Sequence, residues 1–388
     1  MQHDEPPAPP LTQPFAWAAV AAAAIVVHVL RLAHPLDVLW PVDSWRVGQL
    51  LFHGRLPYRD FAFEYPPLSL VAFVLPAAAP HSLAKNVLAA QALILEGAVA
   101  WLVLRHHKGA VLRYAALSVF LFGFLSGGFD AFPMAALAVS TALLADRRVS
   151  GWVAAAIGTL IKLVPGVAWL WCRTHWRAAI AALAVTALLA AVPLAGPVFT
   201  GSYIGYSIKR GVEIDSVAAT SAWALRQAAG GRSTFKYGFR SWEIAGAGGL
   251  SVVLTVAALL AAAFVALTVR SRGSPDPWVA TLVLVVVLLC GSKVLSPQYM
   301  AWAAPIAAVV GGWMFVVYAI ASALTLAAYS LFTHGQGAGV LRLNPTPLMT
   351  LLFIRNLVLL GLASAGVWRL YRGQQSTKLK VPRHRVGG

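Results

Sequence analysis

The sequence predicts an all-α polytopic membrane protein. Hydrophobic residues fill 59 % of its 388 positions and the mean hydropathy is +0.74, well above the roughly 45–50 % apolar usage of soluble domains. The apolar residues run in long Ala/Leu/Val stretches rather than in alternation. Lipid offers no partner to an unpaired peptide group, so spans must be helices or closed barrels, and these runs select helices. No stretch is left over for a sizeable soluble domain.

Taking about 20 apolar residues per span as a guide, helices are expected near 15–33, 84–104, 110–128, 131–145, 151–163, 164–173, 178–195, 245–269, 278–291, 299–310, 312–333 and 347–370, about twelve in all. Met1 to Pro14 carries no Lys or Arg and so lacks the basic start of a cleaved secretory signal. The segment 15–33 is therefore read as a retained first span, and residues 1–14 as a disordered cytoplasmic N-terminus. Pro165 breaks 151–163 from 164–173, a pair of half-helices. Leu68 to Ala79, bracketed by Pro66, Pro67, Pro76 and Pro80, reads as a re-entrant or interfacial helix. Residues 15–370 form one transmembrane domain, followed by a basic tail, 371–388.

Thirty Lys and Arg against 13 Asp and Glu give a formal charge of +17. Such a balance suits nucleic acid, anionic lipid or phosphate-bearing substrates. Interleaving with apolar spans favours lipid and phosphate, and no nucleic-acid-binding signature is present. Arg105, Lys108, Arg147, Arg148, Arg173, Arg177, Arg270, Arg272 and the tail fall on one side of the twelve-span arrangement, which the positive-inside rule assigns to the cytoplasm. The opposite face receives a first outer loop (34–67), the turn before Asp130, a long outer loop (196–244), Ser292 to Tyr299, and Thr333 to Pro345. It holds eight of the 13 acidic residues, so the chemistry is expected outside the cytoplasm. Cys172 and Cys290 fall on opposite faces and predict neither a disulfide nor a metal cluster.

The first outer loop is dense in charge and aromatic rings. Asp43 is placed to take a proton from a sugar hydroxyl, or to cap a helix N-terminus; the residues alone leave both open. In Glu64-Tyr65-Pro66-Pro67 the prolines stiffen the backbone and would hold Glu64 and Tyr65 at a pocket rim. Lys162 and Lys293 each sit beside a proline-interrupted apolar segment, where an ammonium points to a functional site, here a phosphate. An arginine of the outer loops, Arg59, is a further candidate for binding that phosphate. Trp45, Tyr65 and Tyr299 are candidates to line a sugar pocket, and Asp130, Glu64 and His334 to contact sugar or acceptor or to share proton transfer. Glu96, inside a span, reads as a structural hydrogen-bonding carboxyl.

Asp43, the run His53-Gly54-Arg55-Leu56-Pro57-Tyr58-Arg59-Asp60-Phe61 with Glu64-Tyr65-Pro66-Pro67, Lys162 with Pro165, and Ser292-Lys293-Val294-Leu295-Ser296-Pro297-Gln298-Tyr299 together resemble the polyprenyl-phosphate-dependent glycosyltransferases of the GT-C fold. The likeness is greatest to glycosyltransferase family 87, the actinobacterial α-mannosyltransferases. It implies a GT-C-type bundle whose extracytoplasmic loops form the active site, a bacterial plasma-membrane location, and Asp43 as general base. It also implies a polyprenyl-phosphate-mannose donor, a glycolipid or lipoglycan acceptor, and inversion at the anomeric carbon. Asp43-Ser44 replaces the paired acidic motif of many GT-C enzymes, so no metal and no cofactor are expected. An arabinofuranosyl or other pentosyl transferase is the alternative within the fold, and a lipid-linked sugar transporter or flippase the alternative outside it. Membrane lipids are the remaining expected partners.

Overall fold

The structure, a computed structural model, describes residues 40–125, 129–172, 175–191, 203–239, 241–271, 276–334 and 338–372, together with Ala18, Ala22, Val26 and Val29. Apart from those four positions the expected span 15–33 lies outside the described residues, as do residues 1–14 and the tail from 373 onward.

The stretch read as the first outer loop contains a helix, α1 (Trp40–Phe52). Pro41 falls in its first turn, where a missing N–H costs nothing. Gly54 ends it in the left-handed conformation (φ +71°), and the Arg55 N–H returns to the Leu50 carbonyl at 2.9 Å, closing a Schellman motif. Gly48 lets α1 lie directly on the next helix: a Cβ there would fall 2.2 Å from that of Ala77. That next helix, α2 (Val71–Ala78), follows a 3₁₀ turn over Pro67–Leu70 and is the short helix expected between the prolines.

The chain continues through α3 (His81–Leu102), α4 (Ala110–Leu125), α5 (Ala131–Ala145) and α6 (Ser150–Ile161). α6 breaks where Pro165 predicts it. Lys162 is extended, a 3₁₀ turn covers Val164–Val167, and α7 (Ala168–Trp171) completes the second half. After α8 (Trp176–Ala191), the stretch read as the long outer loop is ordered over its described part. It holds α9 (Tyr203–Lys209), α10 (Val217–Ala228) and an antiparallel hairpin of β1 (Phe235–Gly238) and β2 (Ser241–Ile244), the one departure from an all-α fold among the described residues. The rest comprises α11 (Gly248–Ser271), α12 (Pro277–Gly291), a 3₁₀ turn over Pro297–Ala301, α13 (Ala304–Val310), α14 (Gly312–His334), α15 (Ala338–Leu343) and α16 (Thr346–Arg372).

Among the described residues four helical stretches are long and apolar enough to cross a membrane: His81–His106, Gly248–Ser271, Gly312–Thr333 and Thr346–Arg372. Against the expectation of twelve spans, the other apolar helices are shorter, 10–17 residues. α12 shows what the short ones do. It is apolar all round and almost every residue is buried, as expected of a helix enclosed by others rather than by lipid. Asp276 caps it by accepting from the Trp278 and Val279 N–H groups. Its far end delivers Ser292 and Lys293, just as α6 delivers Lys162. Glu96 of α3 is buried and hydrogen-bonds Tyr114 of α4, the structural partner its position required.

α11 and α12 touch backbone to side chain at Gly291, where a Cβ would lie 2.2 Å from that of Ala258 and 2.9 Å from the Leu254 carbonyl. Gly291→Ala is expected to destabilise the protein by about 1–3 kcal/mol through this overlap. Gly361→Ala, in open space on α16, should instead stabilise by about 0.5–1 kcal/mol from backbone entropy. Thermal unfolding of both variants in the same detergent checks the opposite signs.

Candidate functional site

The ends of α6 and α12 converge on a cavity of about 1340 Å³. Besides these two ends, its walls include Val47 of α1, Phe73 of α2, Ala62 to Pro66, α9 with the loop that follows it, the hairpin, the 292–299 segment with Trp302, and the ends of α14 and α16. Of the candidates read from the sequence, Glu64, Tyr65, Lys162, Lys293 and Tyr299 line it. Helix C-termini suit lysines, because the carbonyl ends carry partial negative charge.

Lys162 is fully committed. Its Nζ donates to Asp130 Oδ1 at 2.9 Å, and the same oxygen accepts from the Trp302 indole at 2.7 Å. Four rings surround the ammonium, with centroids at 4.5 Å (Trp302), 4.8 Å (Tyr299), 5.3 Å (Phe129) and 5.4 Å (Tyr65). Each such contact is worth about 0.5–2 kcal/mol, the upper end when desolvated. Asp130, read as a sugar contact, thus meets the cavity through Lys162 and Trp302 and is not among its lining residues.

Lys293 is placed differently. Its ammonium donates to two backbone carbonyls, of Arg210 at 2.7 Å and Ile208 at 3.2 Å, and no carboxylate among the described residues pairs with it. Burial, then the nearby Arg210 charge, lowers its pKa from the ordinary lysine value. Arg210 pairs with Glu213 at 3.1 Å, yet its buried Nε has no hydrogen-bond partner among the described residues. The Ser296 hydroxyl shares its one proton with the Glu213 carboxylate, lying 2.8 Å and 2.9 Å from its two oxygens. Asp215 is paired with Arg355 of α16. Arg355 also donates to the Asp215 carbonyl and to Asn356, which itself donates to that carbonyl and to Thr220. Arg210, Glu213, Asp215 and Arg355 were all missed in the sequence. For Arg355 a signal existed, a lone charge inside an apolar helix; for the loop residues there was none.

Of the three carboxylates lining the cavity, Glu64 alone is in no ion pair among the described residues. The side chains of Asp43 and His334 lie outside the described residues, although both positions fall on helices, α1 and α14. Val47, one helical turn after Asp43, lines the cavity. Arg59 does not line it: it is exposed and bonded to Asp60, whose carboxyl the guanidinium and the Leu56 N–H hold down at about 2. Trp45 also stands apart, donating to the Ala79 carbonyl at 3.3 Å and packing edge-on against His81.

Burial, opposed by Arg210, pushes the Glu213 carboxyl from its ordinary 4.5 up to about 7. A raised carboxyl binds its proton more tightly in the folded protein, so stability is greatest below the unfolded pKa and falls as pH rises from about 4.5 through about 7. Glu213→Gln should flatten that part of a plot of unfolding midpoint against pH. Removing one partner of the other pair should cost more: Asp130→Asn leaves a buried ammonium uncompensated, at about 3–5 kcal/mol. Asp130→Asn combined with Lys162→Met should recover most of the loss, as read from thermal midpoints.

The family model described as Glycosyltransferase family 87 matches residues 63–297. That is more than half of the chain, and it takes in Glu64, Lys162, Arg210, Glu213 and Lys293 while beginning after α1 and Asp43. No curated protein and no solved structure matches the chain. A match of this extent, laid over a helical chain with four helices long and apolar enough to cross a membrane and a charged cavity at its helix ends, places the chain in glycosyltransferase family 87.

Proposed function

We propose that this glycosyltransferase moves mannose from polyprenyl-phosphate-mannose to a glycolipid or lipoglycan acceptor, with inversion, on the extracytoplasmic face of a bacterial plasma membrane. The observation that carries the reading is the pairing pattern of the cavity. Lys162 is neutralised by Asp130, whereas Lys293 has only carbonyl partners and Arg210 retains an unused buried Nε–H. Two cationic donors side by side, facing a cavity far larger than one sugar, suit an anionic leaving group such as a lipid phosphate.

A sugar already joined to phosphate has a good leaving group and needs cations more than a general acid. The acceptor oxygen attacks the anomeric carbon, and the bond from that carbon to the phosphate oxygen breaks. Polyprenyl phosphate departs with the electron pair, held by Lys293 and Arg210. Asp43 takes the acceptor proton, its helix α1 forming part of the cavity wall through Val47. Glu64 is the second reading for the base, because among the described residues it is the cavity carboxylate without an ion pair, bonded only to the Tyr65 hydroxyl. The basic loops at the far ends of the helices set the orientation by the positive-inside rule.

Purified protein in nanodiscs, given radiolabelled polyprenyl-phosphate-mannose and a membrane-lipid extract, tests this directly. Asp43→Asn should lose at least about 100-fold in transfer, and Lys293→Met should lose transfer with a raised donor KM. Loss with Glu64→Gln but not with Asp43→Asn would move the base to Glu64. A parent protein that transfers pentose but not mannose has the alternative donor; one that transfers no sugar sinks the reading, and lipid-linked sugar translocation is then the activity to assay.

A further inference from the structure

The hairpin presents a group of rings that the transfer scheme does not use. Tyr237 and Trp242 are paired across the strands and pack edge-on, with centroids 5.6 Å apart. Phe239, at the turn, packs edge-on against Tyr206 of α9 at 5.2 Å, and the Tyr206 hydroxyl donates to the Phe239 carbonyl at 2.7 Å. All four line the cavity. Yet Tyr237 is 58 % and Phe239 37 % exposed, so these rings are not there to fill a core.

Two further observations bear on their purpose. Phe239 has φ +49°, the left-handed region that a bulky residue rarely occupies. Glycine or asparagine would make that turn without strain, so the ring is retained against local preference, the kind of outlier that marks a functional site. The hairpin is also locked to the cation-bearing loop. Ile214 and Ile244 N–H groups bond the Trp242 and Val212 carbonyls at 2.9 Å each. The buried Glu243 carboxylate accepts the Gly211 N–H at 2.7 Å, where any Cβ at Gly211 would collide with it, and Lys236 pairs with its other oxygen. The rings are therefore held at a fixed position relative to Arg210.

We infer that Tyr237, Phe239 and Trp242 form a binding platform for a pyranose ring of the acceptor glycan; this rests on the transferase reading above. The apolar C–H face of a pyranose stacks on the electron-rich face of an aromatic ring. The donor contributes one sugar, fixed by its phosphate beside the more deeply placed Lys293 and Arg210. A platform with exposed rings suits instead a saccharide whose remainder extends beyond the cavity, which is the headgroup of the acceptor.

The test uses the full protein in nanodiscs with Phe239→Gly, which relieves the turn and removes only the ring, and Tyr237→Ala. Saturation-transfer NMR with methyl α-D-mannopyranoside should show transfer to the ring C–H protons of the sugar in the parent. Either variant should reduce it at least about fivefold, and in the transfer assay each should raise the acceptor KM about tenfold with kcat and donor KM nearly unchanged. Undiminished saturation transfer and unchanged acceptor KM in folded Phe239→Gly overturn the platform, as does a sugar-transferring parent that binds no pyranoside. If the variants alter only association with lipid, the rings are interfacial anchors and the inference fails. If the parent binds pyranoside through these rings but transfers no sugar, the platform stands and the transferase reading falls.

Discussion

The break in α6 places an ammonium where it can neither reach bulk water freely nor go unpaired, and much of the architecture around the cavity answers that constraint. Asp130 must lie at the start of α5 to balance Lys162, Trp302 must turn its indole to the same carboxylate, and Tyr65, Phe129 and Tyr299 close the box. Those five residues come from three separate segments of the chain. A buried pair of this kind adds little net stability over an apolar substitute, but its hydrogen-bond geometry admits few alternatives, so it fixes the mutual position of segments that short, featureless Ala/Leu helices would leave free to slide.

With Lys162 satisfied, the remaining charges divide by function. Arg210 with Glu213 and Arg355 with Asp215 join the loop after α9 to α9 and α16, while Lys293, just past the end of α12, rests on the Ile208 and Arg210 carbonyls. The cavity is thus electrostatically prepared without being electrostatically closed. Its fixed dipoles are helix ends and backbone carbonyls, which need no reorganisation when a charged group arrives. Glu213, held near neutrality between burial and its arginine, also places a titrating group beside the cation nearest the unpaired lysine.

What the sequence revealed follows from this division. Lys162, Lys293, Glu64, Tyr65 and Tyr299 were legible because a charge or ring next to a proline in an apolar run is conspicuous locally, and all five reach the cavity. α1 was hidden for the complementary reason: its charged and aromatic residues look like a loop, and only the packing of Gly48 on α2 shows why a helix forms there. Arg59 and Trp45 carried the same local signature as true cavity residues, yet the one closes a turn with Asp60 and the other braces α1 against the Ala79 carbonyl. Asp215 and Arg355 lie 140 positions apart, and nothing near either residue announces the other. The four full-length helices were recognisable from length and hydropathy, whereas enclosed helices such as α12, shorter than a bilayer, are counted poorly by any rule based on lipid thickness.

Arg355 gives the chain a constraint in time as well as in space. It is fully buried within the last long helix, and an arginine inserted alone near the centre of a helix costs about 2.5–3.5 kcal/mol on translocon scales. Its partner, Asp215, belongs to a segment synthesised well before it. Pairing with that carboxylate is what makes a guanidinium tolerable inside so apolar a helix. A chain that stalls before α16 keeps an uncompensated Asp215 beside its cavity, and completing the polypeptide becomes part of assembling the site.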